Sequence, residues 1–294
     1  MLNSPQGILQ KAVPLKDYTS FRVGGPAKQL YQPTDKADLS RLLKTLPPEE
    51  PLLWLGLGSN LLIRDGGFLG TVILLQGCLT GIHPLDDTTL RAEAGVSCGT
   101  FSRFAAKQNL AGSEFLAGIP GTLGGALKMN AGCHGAETWD YVISAETIDR
   151  QGHITTQPAE AFEVRYRHTQ LPYEAWFLSA DFRFTPGDAK TSLEKIKTLL
   201  AHRKATQPIH FPNCGSVFRN PPGTYAGKLI EACGLKGYRI HDAGISEKHA
   251  NFIINHGHAT AQDIEQLIHH IQDTVEKKHH VKLIPEVHIV GEAK

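Results

Sequence analysis

Six glycines fall in the eighteen residues from Gly118 to Gly135, GIPGTLGGALKMNAGCHG, with small apolar residues between them. A flexible linker would be polar as well as glycine-rich, so this is tightly packed backbone that something must approach closely. A related turn, Gly56-Leu57-Gly58-Ser59-Asn60-Leu61, follows the apolar run Leu52–Leu55. Successive backbone N–H groups in such turns can form a nest that binds an anion without a lysine. Two tight turns with no ligand are the alternative reading, and the pair together argues more strongly for an anion site than either turn alone.

The rest of the chain must be large enough to support such a site. At 294 residues two or three packed domains are expected. The 30 basic and 29 acidic side chains leave a formal charge of +1, which gives no electrostatic footprint for nucleic acid or an anionic membrane. The longest apolar stretch, Leu52 to Ile63, is interrupted by Gly56, Gly58, Ser59 and Asn60 and falls short of a membrane span. No export signal is read at the N-terminus. Five cysteines with no C-x-x-C pair suit a reducing cytoplasm, not a disulfide framework or structural zinc.

The first third reads as alternating strand and helix. Asp35 caps a helix carrying Leu39, Leu42 and Leu43 that stops at Pro47-Pro48, and Leu52 to Leu55 form a buried strand. Strands follow over 71–76 and 88–96, then a helix over 100–109 with Phe101, Phe104 and Ala105 inward. Residues 142–149, the Gln151-Gly152 turn and 153–157 read as a hairpin, and 177–184 as a strand. Pro186-Gly187-Asp188 precede a helix to about Ala205, and the main boundary is placed there. The last helix opens at Thr260, with Asp263 as the acid of a capping box and Ile264, Leu267, Ile268, Ile271 and Val275 on one face that needs a partner sheet.

Familiar motifs fail. Leu61 stands where a Rossmann fingerprint needs its third glycine. Gly227-Lys228 resembles the end of a P-loop, but Leu229 replaces the magnesium-holding hydroxyl and Pro222 the first glycine. His256 and His258, His269-His270 and His279-His280 lack an acid at ligand spacing, so no metal is expected.

What remains resembles a known family almost end to end: TSFRVGGPA at 19–27, GLGSNLLIRD at 56–65, the segment at 118–135, YRHT at 166–169, NCGSVFRNPPG at 213–223, AGKLIEACGLKG at 226–237, ISEKHANFIIN at 245–255 and PEVHIVG at 285–291. In this order and spacing the motifs are similar to the UDP-N-acetylenolpyruvoylglucosamine reductases, FAD enzymes of peptidoglycan synthesis in bacterial cell-wall biogenesis. The resemblance implies an α+β chain: an N-terminal segment (1–19), an FAD-binding fold of the vanillyl-alcohol-oxidase type (20–186) and a smaller α/β substrate domain (187–294) whose last strand returns to the active site. It implies noncovalent FAD on Gly56, Gly58, Ser59, Asn60 and Leu61, on Gly118, Ile119, Pro120, Gly121, Thr122, Gly124 and Gly125, and on Asn130, Ala131 and Gly132. NADPH would be the hydride donor and UDP-N-acetylglucosamine enolpyruvate the substrate. The short interval between Tyr166 and Ser216 leaves no room for the tyrosine-bearing loop of some members, which is the pattern of a shorter class.

The same resemblance assigns roles. Ser216 matches the general acid that protonates one carbon of the enolpyruvyl double bond while the other receives hydride; read from the residues alone, it is a turn serine bonded to its own backbone. Glu286 and Arg167 match the residues that stabilise the enolate-like intermediate, and a guanidinium suits that task because it can pair with a carboxylate through two parallel hydrogen bonds. Arg165 alternates with Arg167 on the strand, and Arg167 is the one that matches. Tyr166, Arg219, Asn220 and Lys228 are substrate-contact candidates, Lys228 being equally readable as a surface lysine. Cys214 and Cys133 flank site motifs without a base partner. A different flavin enzyme, with covalent attachment at His134, and a non-catalytic nucleotide-binding module are the competing readings.

Overall fold

The computed structural model describes residues 4–294. They form two compact units. One comprises the described residues up to Gln10, Leu30–Gly56 and Thr71–Ala201; the other comprises Lys11–Gln29, Leu57–Gly70 and His202–Lys294. These bounds differ from a contiguous division at 19 and 186. The reason is local pairing: Leu61–Ile63 lies parallel to His288–Val290, in register Leu61 with His288, so a short early segment completes the late unit.

The first unit is built on a five-stranded antiparallel sheet in the order Ile154–Pro158, Val142–Asp149, Ala175–Arg183, Thr89–Glu93, Ile82–Pro84. The hairpin read from sequence pairs Ile148 with Ile154 and Ser144 with Pro158. One core gathers Leu90, Phe101, Phe115, Leu127, Phe177 and Phe182, and a second gathers Tyr31, Leu39, Leu43, Ile73, Ile148 and Leu178. Helix α1 (Lys36–Thr45) begins where Asp35 accepts the Asp38 amide at 2.7 Å and buries Leu39, Leu42 and Leu43. Helix α2 (Cys98–Lys107) starts two residues earlier than its apolar spacing indicates, because Ser97 caps it through the Thr100 amide at 3.1 Å. The glycine-rich segment contains helix α3 (Leu123–Met129), whose two internal glycines leave no helical periodicity to read. Helix α4 (Ala189–Thr206) runs on into the second unit.

The second unit has a core built from Phe21, Leu62, Val217, Phe218, Ile253, Leu267 and Ile271 among others. A three-stranded antiparallel sheet, Arg239–Ile240, Ala243–Ile245 and Ile253–Asn255, lies against helix α6 (Ala261–His279), with the short helix α5 (Ala226–Ala232) beside α6. Thr260 and Asp263 form the expected capping box, and Ile264, Leu267, Ile268, Ile271 and Val275 are all buried. Asp65 strengthens the same helix start by accepting the Ala261 and Gln262 amides, each at 3.0 Å. Among the described residues no helix is long and apolar enough to cross a membrane.

Candidate active site

In the second unit the segment around Ser216 is fixed on both sides. Asn213 accepts the Gly215 amide at 2.9 Å, and Gly215 takes a φ of +81°, an angle that favours glycine. A Cβ at Gly215 would meet nothing within 4 Å, so the angle and not crowding selects glycine here. On one flank the buried Asn251 side chain accepts the Phe218 amide at 3.0 Å and donates to the Phe218 carbonyl at 2.8 Å. On the other flank Arg219 donates its amide to Ile284, and both Glu286 and Val287 donate to the single carbonyl of Val217, at 2.7 and 3.3 Å. Two residues opposite one is the signature of a β-bulge, a device that re-aims a side chain where simple alternation would misplace it. Beyond it Val287 belongs to the core, His288 is exposed and Ile289 packs against the core, so the side chains alternate along 287–289. The half-buried Ser216 hydroxyl has no protein hydrogen-bond partner among the described residues, which removes the reading of a turn serine bonded to its own backbone.

The Gly-Ser-Asn turn belongs to this unit as well. Asn60 donates its side-chain amide to the Glu286 carbonyl at 3.0 Å, and its own carbonyl accepts from His288 at 3.0 Å. Gly58 has a φ of +58°, and a Cβ there would lie 2.1 Å from the Tyr18 carbonyl oxygen. Its carbonyl accepts the Ser20 amide at 3.2 Å, which explains why the TSFRVGG segment accompanies the turn. The amides of Leu57, Gly58, Ser59 and Asn60 have no acceptor among the described residues. Four consecutive unpaired donors fit an anion.

The remaining residues assigned in this unit divide. Arg219 is half-buried, and its Nε is buried with no partner among the described residues. Asn220 accepts the Ala226 amide at 3.1 Å, so it starts helix α5, a role its motif did not reveal. Lys228 is exposed, with Nζ 5.2 Å from the centre of the Tyr225 ring. Cys214 is buried, and burial, with the Glu286 charge adding to it, pushes its thiol well above the usual range; a neutral buried thiol is no nucleophile.

In the first unit most of the α3 entrance is used internally. Leu123 and Gly124 donate to the Val96 and Ala94 carbonyls at 2.8 and 2.9 Å, and Gly121 donates to Ile119 at 3.1 Å. The amides of Thr122 and Gly125 remain without an acceptor among the described residues. A Cβ on Gly56 would lie 2.4 Å from Thr122 Oγ1 and one on Gly124 2.9 Å from the Ala94 Cβ, whereas one on Gly125 meets only Thr122 Oγ1, at 3.9 Å. Gly56 and Gly124 thus serve chain packing, and Gly125 faces open space with a bare amide.

Helix α3 ends at Asn130, which is left-handed with a φ of +41°. Its side chain donates to Glu137 Oε2 at 2.7 Å and accepts the Trp139 amide at 3.2 Å. Arg167 closes the same turn: Nη1 donates to the Asn130 carbonyl at 3.2 Å and to Glu137 Oε1 at 3.0 Å, and Nη2 donates to the Gly132 carbonyl at 2.7 Å. The Tyr166 ring, 43% exposed, lies 4.6 Å from the guanidinium carbon. Arg165 instead pairs with Glu163 at the surface, its side chain 69% exposed against 14% for Arg167, so geometry separates the two arginines. Cys133 donates its thiol to the Phe115 carbonyl at 3.2 Å, and His134 is exposed in the His134-Gly135 turn. Glu137, Asn251 and Asp65 were missed from sequence, since an isolated acid or amide carries no local signal of long-range bonding.

Comparison with known proteins decides the family. Residues 27–157 match the FAD binding domain, and residues 207–290 match the C-terminal domain of UDP-N-acetylenolpyruvoylglucosamine reductase. The reductase of Legionella pneumophila (strain Corby) is 59% identical over 98% of this chain and 94% of its own length. The chain belongs to the UDP-N-acetylenolpyruvoylglucosamine reductase family. The reductase of Alkalilimnicola ehrlichii is 55% identical over 98% of the chain and 96% of its length. A solved reductase from Thermus caldophilus superposes with a TM-score of 0.80 at 32% identity, over 97% of this chain and 98% of that one. Membership makes the chain an FAD-dependent oxidoreductase of peptidoglycan biosynthesis with the mixed α+β fold expected of it. Within the second unit the bare amides at 57–60, and within the first those of Thr122 and Gly125, are each the kind of donor that a phosphate group of FAD needs at the main chain.

Proposed function

We propose that this protein catalyses the NADPH-dependent reduction of UDP-N-acetylglucosamine enolpyruvate to UDP-N-acetylmuramate in the cytoplasm, with Ser216 as proton donor. Bound FAD would supply the hydride chemistry that links NADPH to the enolpyruvyl double bond. The chain's own residues bind, orient and move the proton. In each unit bare main-chain amides are assigned to the cofactor phosphates: Leu57 to Asn60 in the second, Thr122 and Gly125 in the first. Ser216 Oγ gives its proton to the carbon left electron-rich by hydride addition. Arg167 and Glu286 stabilise the charge that develops on the enolate and its carboxylate. Tyr166, Arg219, Asn220 and Lys228 contact the UDP-sugar.

The observation that carries this reading is the Ser216 hydroxyl: it has no protein partner among the described residues, and it stands on a segment whose backbone is bonded to Glu286 and Val287. A serine kept for structure would spend its hydroxyl on a neighbour. Rapid mixing of Ser216→Ala tests it. NADPH should bleach the flavin at nearly the wild-type rate, while reoxidation by the UDP-sugar slows by at least the ~10²-fold typical of a lost general acid. Glu286→Gln should impair the second step alone. Equal slowing of both steps by Ser216→Ala would make the serine a general positioning group and end its role as donor.

A further inference from the structure

Arg167 occupies a conformation that side chains rarely adopt. Arg165 pairs with His168 across a two-residue turn, Tyr166-Arg167, and Arg167 takes a φ of +56° where glycine would be the ordinary choice. Persistent strain of this kind is held by surrounding structure and points to function. Here the surroundings are the carbonyls of Asn130 and Gly132 and one oxygen of Glu137. The other oxygen of Glu137 accepts from Asn130, itself left-handed. Glu137 is fixed in turn: its amide donates to Asp140 Oδ2 at 2.7 Å, and it pairs with Gly132 in the short hairpin closed by His134-Gly135.

We propose that Glu137 is a positioning residue for the reduction: its two carboxylate oxygens set the Arg167 guanidinium and the Asn130 turn at once. The proposal rests on the role assigned above to Arg167. The chemistry selects a carboxylate. Both partners are donors, so the residue between them must accept on both sides, and only an ionised carboxyl does so; a glutamine of the same size would present its NH₂ to one of them. The residue also acts as a joint. The turn that it fixes lies in the segment assigned to the cofactor, and the guanidinium that it fixes is assigned to the substrate carboxylate. A change at Glu137 therefore misorients the arginine without removing any group that touches the reacting atoms.

The test uses the FAD-loaded protein with Glu137→Gln, Arg167→Lys and the double variant. Flavin content, melting temperature and the two half-reactions are read separately. For Glu137→Gln the expected result is flavin content and NADPH bleaching within about twofold of wild type, and reoxidation by the UDP-sugar roughly 10- to 100-fold slower, the penalty typical of a misplaced charge-stabilising group. The double variant should reoxidise no more slowly than Arg167→Lys, because on this step the glutamate acts through the arginine. Wild-type reoxidation in Glu137→Gln, an additive loss in the double variant, or a loss of flavin that slows both half-reactions alike would each overturn the proposal. If Glu137→Gln does not fold, Glu137→Asp takes its place; failure of both to fold makes the residue structural and overturns it equally. If Arg167→Lys reoxidises normally, the arginine's own role fails and this proposal with it. Impairment of Arg167→Lys alone sinks only the role of Glu137.

Discussion

Gly125→Ala separates the cofactor site from the stability of the chain, because the two effects have opposite signs. Gly125 stands in the first turn of α3 with an amide that has no acceptor among the described residues, and an added Cβ meets a single atom at 3.9 Å. In the apoprotein the substitution removes the backbone entropy cost of a helical glycine, which stabilises by about 1 kcal/mol and raises the melting temperature by roughly 2 °C for a chain of this size. In the loaded protein the methyl group stands over the amide assigned to the FAD diphosphate. Losing one hydrogen bond to a charged group costs about 1.5–3 kcal/mol, or roughly 10- to 150-fold in affinity. Titration of apoprotein with FAD, followed by quenching of flavin fluorescence, reads the second effect, and thermal melting of the apoprotein reads the first. Gly124→Ala is the contrast: its Cβ would press on Ala94 at 2.9 Å, so the apoprotein itself should lose about 1–3 kcal/mol. A stabilised Gly125→Ala apoprotein that binds FAD as tightly as wild type would show that the diphosphate does not use this amide, and the placement at α3 would fall.

Two further outcomes follow from buried polar groups. Asn251→Ala leaves the buried Phe218 amide and carbonyl without their partner, so urea unfolding should show a loss of about 2–4 kcal/mol with little change in m. Asp38 is fully buried; burial alone would raise its pKa, but the amides of Gln6 and Thr34, the Tyr31 hydroxyl and Arg41 outweigh burial and hold it below the ordinary aspartate value of 3.8. A depressed folded-state pKa stabilises the fold above the unfolded value, and that contribution is lost as pH falls through the folded one. Asp38→Asn should therefore lower the melting temperature at pH 7, with the gap to wild type closing below about pH 3.8; a gap independent of pH would show that the ionised carboxylate is not what stabilises the fold.

Which features could be read in the sequence depended on whether their cause was local. Helix α6 was legible because a capping box and a 3.6-residue apolar period are both written within twenty residues, and the 142–158 hairpin because its turn and alternation adjoin. Helix α3 was not, since a segment selected for close backbone approach loses the side-chain pattern that announces a helix. The division into two units was hidden for a different reason: Leu61–Ile63 pairs with His288–Val290 more than two hundred residues away, and a three-residue strand has no signal of its partner. The site shows the same split. Ser216, Arg167 and the glycine turns could be named as candidates because they sit in runs of unusual composition that resemble a family. Glu137 could not, because its importance comes from accepting two hydrogen bonds from residues seven and thirty positions away. Glu286 also lies in such a run, but the bonding of its amide and the Val287 amide to the single Val217 carbonyl depends on a segment some seventy residues away and has no local signal. What the sequence conceals here is the geometry that holds the reactive groups, and that geometry is where a substitution can change the chemistry without touching a residue the motifs would flag.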